Sequence, residues 1–137
     1  MSWMNKQVPG QFRWSISSVA ANAGQEVMLG ATAANKIRIV SACFTPATAI
    51  KTDTDSGFAL YLMNQGTVGT LGQTVASKVF TTAAATAAAS VPISLTLASD
   101  ADDQVLSASD VLTYKETTIG TGTARANGVL TVEYIIL

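Results

Sequence analysis

The sequence predicts an all-β fold: an antiparallel β-sandwich or jelly roll of about eight strands with an N-terminal arm. Three observations predict it. Short runs of alternating apolar and polar residues recur roughly every 10–15 residues, separated by Gly, Pro, Asn and Asp. No stretch combines an apolar helical stripe, a charged opposite face and good caps. The chain has 137 residues, enough for one domain, with 48% apolar but only 12% charged residues, about half the usual charged share. Many short half-apolar strands bury their faces best as two sheets packed together. There is no internal repeat of fixed period, which argues against a propeller or solenoid.

Residues 1–11 read as an arm and residues 12–137 as a single β-sandwich domain. Trp3, Met4 and Val8 are apolar but follow neither the helical nor the strand period, and Pro9-Gly10 punctuates the approach to the first strand. Such an arm either folds back over its own domain or reaches a neighbouring subunit or partner. The first strand is predicted from Phe12 to about Ala20, with Phe12, Trp14 and Ile16 on one face. Asn22-Ala23-Gly24 turns the chain into a short second strand over Glu26-Val27-Met28-Leu29. The third runs from Lys36 to Phe44; Ile37, Ile39, Ser41 and Cys43 alternate with Lys36, Arg38, Val40 and Ala42, and Pro46 closes it.

A polar connection over 45–57 leads to a fourth strand, Phe58 to Asn64, with Phe58, Leu60 and Leu62 on one face. After the glycines at 66, 69 and 72, the fifth strand spans Gln73 to Phe80, placing Val75, Ser77 and Val79 opposite Ala76, Lys78 and Phe80. The alanine-rich stretch Thr81 to Ser90 has helix propensity, but it lacks a stripe, charges and a cap, and is too short to stand alone as a helix. It reads as a loop or weakly ordered strand edge, with a short helix as the alternative. The sixth strand is Val91 to Ala98, beginning near a sheet edge because of Pro92. Ser99-Asp100-Ala101-Asp102-Asp103 is an acidic turn, and Gln104-Val105-Leu106-Ser107 a brief strand.

The chain is organised around 109–137. Val111 to Thr118 and Val129 to Leu137 are β-rich runs flanking a loop with Gly120, Gly122, Asn127 and Gly128. The connection reads as a hairpin, with Asn127-Gly128 supplying positive φ angles. In the last run Leu130, Val132, Tyr134 and Ile136 share one face, and Thr131 and Glu133 the other. A run this apolar has to dock inside a sheet whose other strands come from upstream.

Composition narrows the chemistry. Net charge is −1, from eight basic and nine acidic side chains. No Lys/Arg cluster is present to neutralise phosphates, so no nucleic-acid partner is expected. No apolar run approaches the roughly 18 residues of a bilayer span, and Met1-Ser2-Trp3-Met4-Asn5-Lys6 lacks the apolar segment of a secretory signal. No membrane partner is expected. Mean hydropathy is +0.33. With so few charges, solubility requires Thr, Ser and Ala on the surface and part of that surface covered by other subunits. The expectation is a homo-oligomer.

Cys43 is the single cysteine, so no internal disulfide can form, and in an apolar strand it reads as a small buried hydrophobe. The absence of histidine rules out Ser-His-Asp and Cys-His devices and His-containing zinc sites. The carboxylates Asp53/Asp55 and Asp100/Asp102/Asp103 could serve a glycosidase, but they sit in turn-like polar stretches and read as solvated turn residues. Asp53-Thr54-Asp55-Ser56-Gly57 faintly matches the opening of a calcium loop, yet the twelfth position holds Asn64 where glutamate is needed. Gly120-Thr121-Gly122-Thr123 joins two strands and is followed by no helix, unlike a phosphate-binding loop. Trp3 and Trp14 lie near the start while Tyr61, Tyr114 and Tyr134 are spread along the strands, with no lectin-like cluster in view. No catalytic, cofactor-binding or metal-ligating residue is therefore predicted, and no enzyme activity.

Ser109-Asp110-Val111-Leu112-Thr113-Tyr114, Gly120-Thr121-Gly122-Thr123-Ala124 and Gly128-Val129-Leu130-Thr131-Val132-Glu133-Tyr134 together resemble the ending of many small structural proteins of tailed bacteriophages. The remainder of the chain is similar to them only in its general make-up, with Ala/Thr/Ser-rich strands and few charges. The resemblance implies a capsid decoration (cement) protein or related virion component. It implies an oligomer, a trimer above all, on the outer capsid surface, assembled in the host cytoplasm and clamping major capsid subunits without catalysis or cofactor. On physical grounds the partner or subunit contact falls on the arm, at Trp3, Met4 and Val8, because Trp is enriched among binding hot spots. A head-fibre, tail-fibre or tail-tip module that binds a host receptor is the alternative, and a carbohydrate-binding or enzymatic jelly roll a third.

Overall fold

The computed structural model describes residues 9–17, 25–32, 35–51, 56–67, 69, 71–80, 86–120 and 127–137. In chain order its strands are β1 (Pro9–Ile16), β2 (Gln25–Thr32), β3 (Ile37–Pro46), β4 (Ile50–Lys51), β5 (Ser56–Asn64), β6 (Gln73–Phe80), β7 (Thr86–Ala87), β8 (Ile93–Ser94), β9 (Thr96–Leu97), β10 (Val105–Leu106), β11 (Val111–Gly120) and β12 (Gly128–Ile136). Seven run eight residues or more and five are two-residue pieces, so the body of the fold is close to the eight strands expected. One sheet has the order β1-β12-β3-β10, with β8 also on β3; the other is β2-β11-β5-β6-β9; β4 and β7 form a small ribbon. Every pairing is antiparallel. The protein is an all-β sandwich.

The two closing runs do organise it, but not as a hairpin. β11 lies between β2 and β5 in one sheet, and β12 between β1 and β3 in the other. The apolar faces explain the correction. Leu112 and Tyr114 on β11, and Leu130 and Val132 on β12, are all fully buried. Placed in separate sheets they line both walls of one core. The Phe44 ring on β3 stacks on Tyr114, centroids 6.3 Å apart, joining the sheets at the centre. Gly128, the first residue of β12, does not adopt a positive φ as anticipated. Its missing side chain instead makes room for the Phe44 ring.

Two bulges overturn the simple alternation read from the sequence. In β3 the register passes from Ser41 opposite Glu133 to Ile39 opposite Tyr134, leaving Val40 as an extra residue. Ile37 and Ile39 face the core before it, Ala42 and Phe44 after it, while Val40 is 38% exposed. Cys43 therefore turns away from the core and is only partly covered, a correction to the buried position expected. In β6, Ala76 pairs with Leu62 and Thr74 with Met63, so Val75 is extra. Val75 and Ala76 are both buried, and Val79 is turned outward at 46% exposure. An inserted residue reverses the period-two pattern of everything beyond it.

Boundaries shift for identifiable reasons. β1 begins at Pro9, earlier than Phe12 and inside the stretch read as an arm; proline is tolerated at the first position of a strand. Gly10 faces Tyr134 across the ladder, and a Cβ there would lie 2.6 Å from Tyr134 Cε2. The segment read as one strand over 91–98 is divided. β8 pairs with β3 and β9 with β6. Between them buried Leu95 donates its N–H to the Ala42 carbonyl, 2.9 Å. This segment passes from one sheet to the other and closes that side of the sandwich. Of the alanine-rich stretch, 81–85 lies outside the described residues; Thr86–Ala87 pairs with β4 and Ala89-Ser90 turn, in line with a strand-edge or loop reading.

Candidate interaction surface

The proposed contact residues Trp3, Met4 and Val8 lie outside the described residues, as do Asp53, Asp55 and 121–126. The chain that carries the first three enters the sandwich at Pro9, opposite Ile135 near the end of β12. β1 is an edge strand: its described pairing is with β12 alone.

This pairing assembles a feature that the sequence reading missed. Phe12, Trp14 and Tyr134 are half-buried against the rim of the core. Phe12 stacks on Tyr134 at 4.5 Å and 25°, and Trp14 lies 5.3 Å from Phe12 at 31°. Tyr134 stands some 120 positions from the other two, so only the β1–β12 register, Gly10 opposite Tyr134 and Phe12 opposite Val132, could have revealed the cluster. Gly10 was the available signal: glycine paired with an aromatic across a strand lets the ring lie down over it. On the opposite face of β1, Gln11, Arg13 and Ser15 are exposed.

A second constellation surrounds Asp110, the aspartate that opens the closing segment. Its Oδ2 accepts from the Ser107 N–H at 2.9 Å and from Asn64 Nδ2 at 3.0 Å, and its Oδ1 from Thr67 Oγ1 at 3.4 Å. Asn64, 4% exposed, accepts the Gly66 N–H at 2.8 Å. Gln65 bridges onward: its Nε2 donates to Thr113 Oγ1 and its Oε1 accepts the Gly72 N–H. Ser109, with φ 73°, completes the turn. One carboxylate thus ties the β5–β6 turn to the start of β11 through Asn64. Asp110→Ala is expected to cost about 2–3 kcal/mol, because it strands the buried Asn64 amide. Asp110→Asn should cost less. Urea melts with unchanged slope would register the difference.

The acidic turn behaves as read. Asp100 and Asp102 are exposed. Asp100 Oδ1 accepts the Asp102 N–H at 3.0 Å, capping a 3₁₀ turn over Ala101–Gln104. Among the described residues no group of three His, Cys, Asp or Glu side chains is arranged to hold a metal ion.

No family model matches the chain, and no curated protein matches it either. Among solved structures it is similar to a chain in the structure of infectious bursal disease virus, Gx strain, at 12% identity and a TM-score of 0.38. That match covers 93% of this chain and 32% of the viral one. At this TM-score the likeness carries no functional argument.

Proposed function

We propose that the chain is a structural virion protein, a capsid decoration (cement) protein of a tailed bacteriophage that binds the outer capsid surface and bridges major capsid subunits. The observation that carries this reading is the closing segment, 109–137. The stretch that resembles phage structural proteins supplies a central strand of each sheet and the Asp110 tie. The all-β sandwich and the 12% charged content support it. In this reading the action is mechanical, without catalysis or cofactor. Apolar area buried across a joint between capsid subunits must be exposed again before they part, and several weak footprints on one homo-oligomer multiply into avidity. The arm with Trp3, Met4 and Val8 is the contact assigned to the capsid.

The test is sedimentation of purified protein with mature tailed-phage heads freed of their decoration protein. Co-sedimentation that saturates at a fixed ratio per capsid subunit, with heads more resistant to heat, is the expected result. Protein that stays in the supernatant overturns the reading. The aromatic cluster of Phe12, Trp14 and Tyr134 favours a second reading, a fibre or tail module whose rings meet a host receptor or glycan. Binding on a glycan array, with and without calcium, would select it.

A further inference from the structure

We propose that the outer edge of β1, which carries no strand among the described residues, pairs with β1 of a second copy of this chain, antiparallel about a two-fold axis beside Phe12. This goes beyond the reading as a decoration protein and does not depend on it; it replaces the trimer of the resemblance with a two-fold contact. β1 runs eight residues opposite β12 without a register shift and makes no other strand pairing among the described residues. Natural edges of that length are blunted by lysines, internal prolines, bulges or inward charges. Here the only proline is the first residue and the only charge is Arg13.

The strand is self-complementary in one register. Antiparallel partners share a face when they stand directly opposite, which leaves two central choices on this strand. Centring on Arg13 would set Arg13 against Arg13 of the other copy, a like-charge pair that opposes association. Centring on Phe12 sets Phe12 against Phe12, Gln11 against Arg13 and Gly10 against Trp14. Gln11 and Arg13 are both exposed on the outer face, where the amide can accept from the guanidinium. On the inner face, each half-buried Trp14 would meet the partner's Tyr134 ring, which already fills the space over Gly10 and stacks on Phe12. The three-ring rim of one copy would continue into that of the other. A foreign strand would have to reproduce both the aromatic rim and the acceptor, whereas a second copy supplies them by symmetry.

The experiment uses exposed positions, so that folding is not at stake. In a Cys43→Ser background, chains carrying Gln11→Cys and chains carrying Arg13→Cys are oxidised separately and as a mixture, then run on non-reducing gels. Directly opposed strand residues lie within disulfide reach, whereas like positions do not in this register. Cross-linked dimer confined to the mixture is expected. In parallel, light scattering should find a dimer that Gln11→Lys weakens by roughly 2- to 30-fold, through two new Lys–Arg contacts, and that Gln11→Glu tightens. A monomer or trimer by scattering, no cross-link in the mixture, or equal cross-linking in the separate samples overturns the proposal. Failure to bind phage heads leaves these readouts unaffected, so the two readings fail separately.

Discussion

Phe44→Ala is expected to lower stability by about 3–5 kcal/mol. Phe44 is fully buried on β3 and stacks across the core on Tyr114 of β11. Truncation removes the ring that joins the two sheets and leaves a cavity walled by rigid strands that cannot collapse into it. A domain of this size has about 5–15 kcal/mol in total, so the variant should unfold at much lower urea with an unchanged slope. Phe44→Leu keeps much of the volume and should lose distinctly less. Equal midpoints for the alanine variant and the parent would mean that the sheets are not held together at this point.

Gly128→Ala is expected to cost about 1–3 kcal/mol by overpacking, although alanine suits an extended backbone better than glycine does. A Cβ at Gly128 would meet the Phe44 ring, with Cε2 at 2.8 Å, and the Thr45 carbonyl oxygen at 2.6 Å. The ring cannot swing aside without leaving Tyr114, and the carbonyl belongs to the neighbouring strand. Because the two positions share a space, their effects should couple: in a Phe44→Leu background the penalty at Gly128 should shrink, though not vanish, since Thr45 remains. Gly72→Ala is the contrast. Its φ is +65° with nothing within 4 Å, so its cost is backbone strain alone and should be indifferent to residue 44. A double-mutant cycle followed by urea denaturation measures both. Strict additivity between 128 and 44 would remove the shared-space account.

Much of the architecture is legible in the sequence because β-strands advertise themselves by alternation. The ends of β6 follow from it, as do the inward positions Leu60, Leu62, Leu130 and Val132. The acidic turn is equally plain, since Asp at such a position caps its own backbone. The bulges at Val40 and Val75 are not legible. An extra residue in one strand is defined by the partner opposite it, and no local propensity marks it. Strict alternation misplaces Cys43 and Val79 for that reason alone. The aromatic cluster is hidden in the same way, because Tyr134 joins Phe12 and Trp14 only through the ladder between the two ends of the described chain.

By itself, then, the amino-acid order determined that this chain is all-β, poor in charge and organised by its closing segment. Those properties are sums over side chains and short-range periods, which local chemistry dictates. Only the tertiary structure decided that β11 and β12 sit in different sheets, that Asp110 ties two turns together and that Gly128 is an empty space for Phe44. Each of these depends on residues distant in sequence meeting in one register, and the burial that selects the register exists only once both sheets have closed on the core.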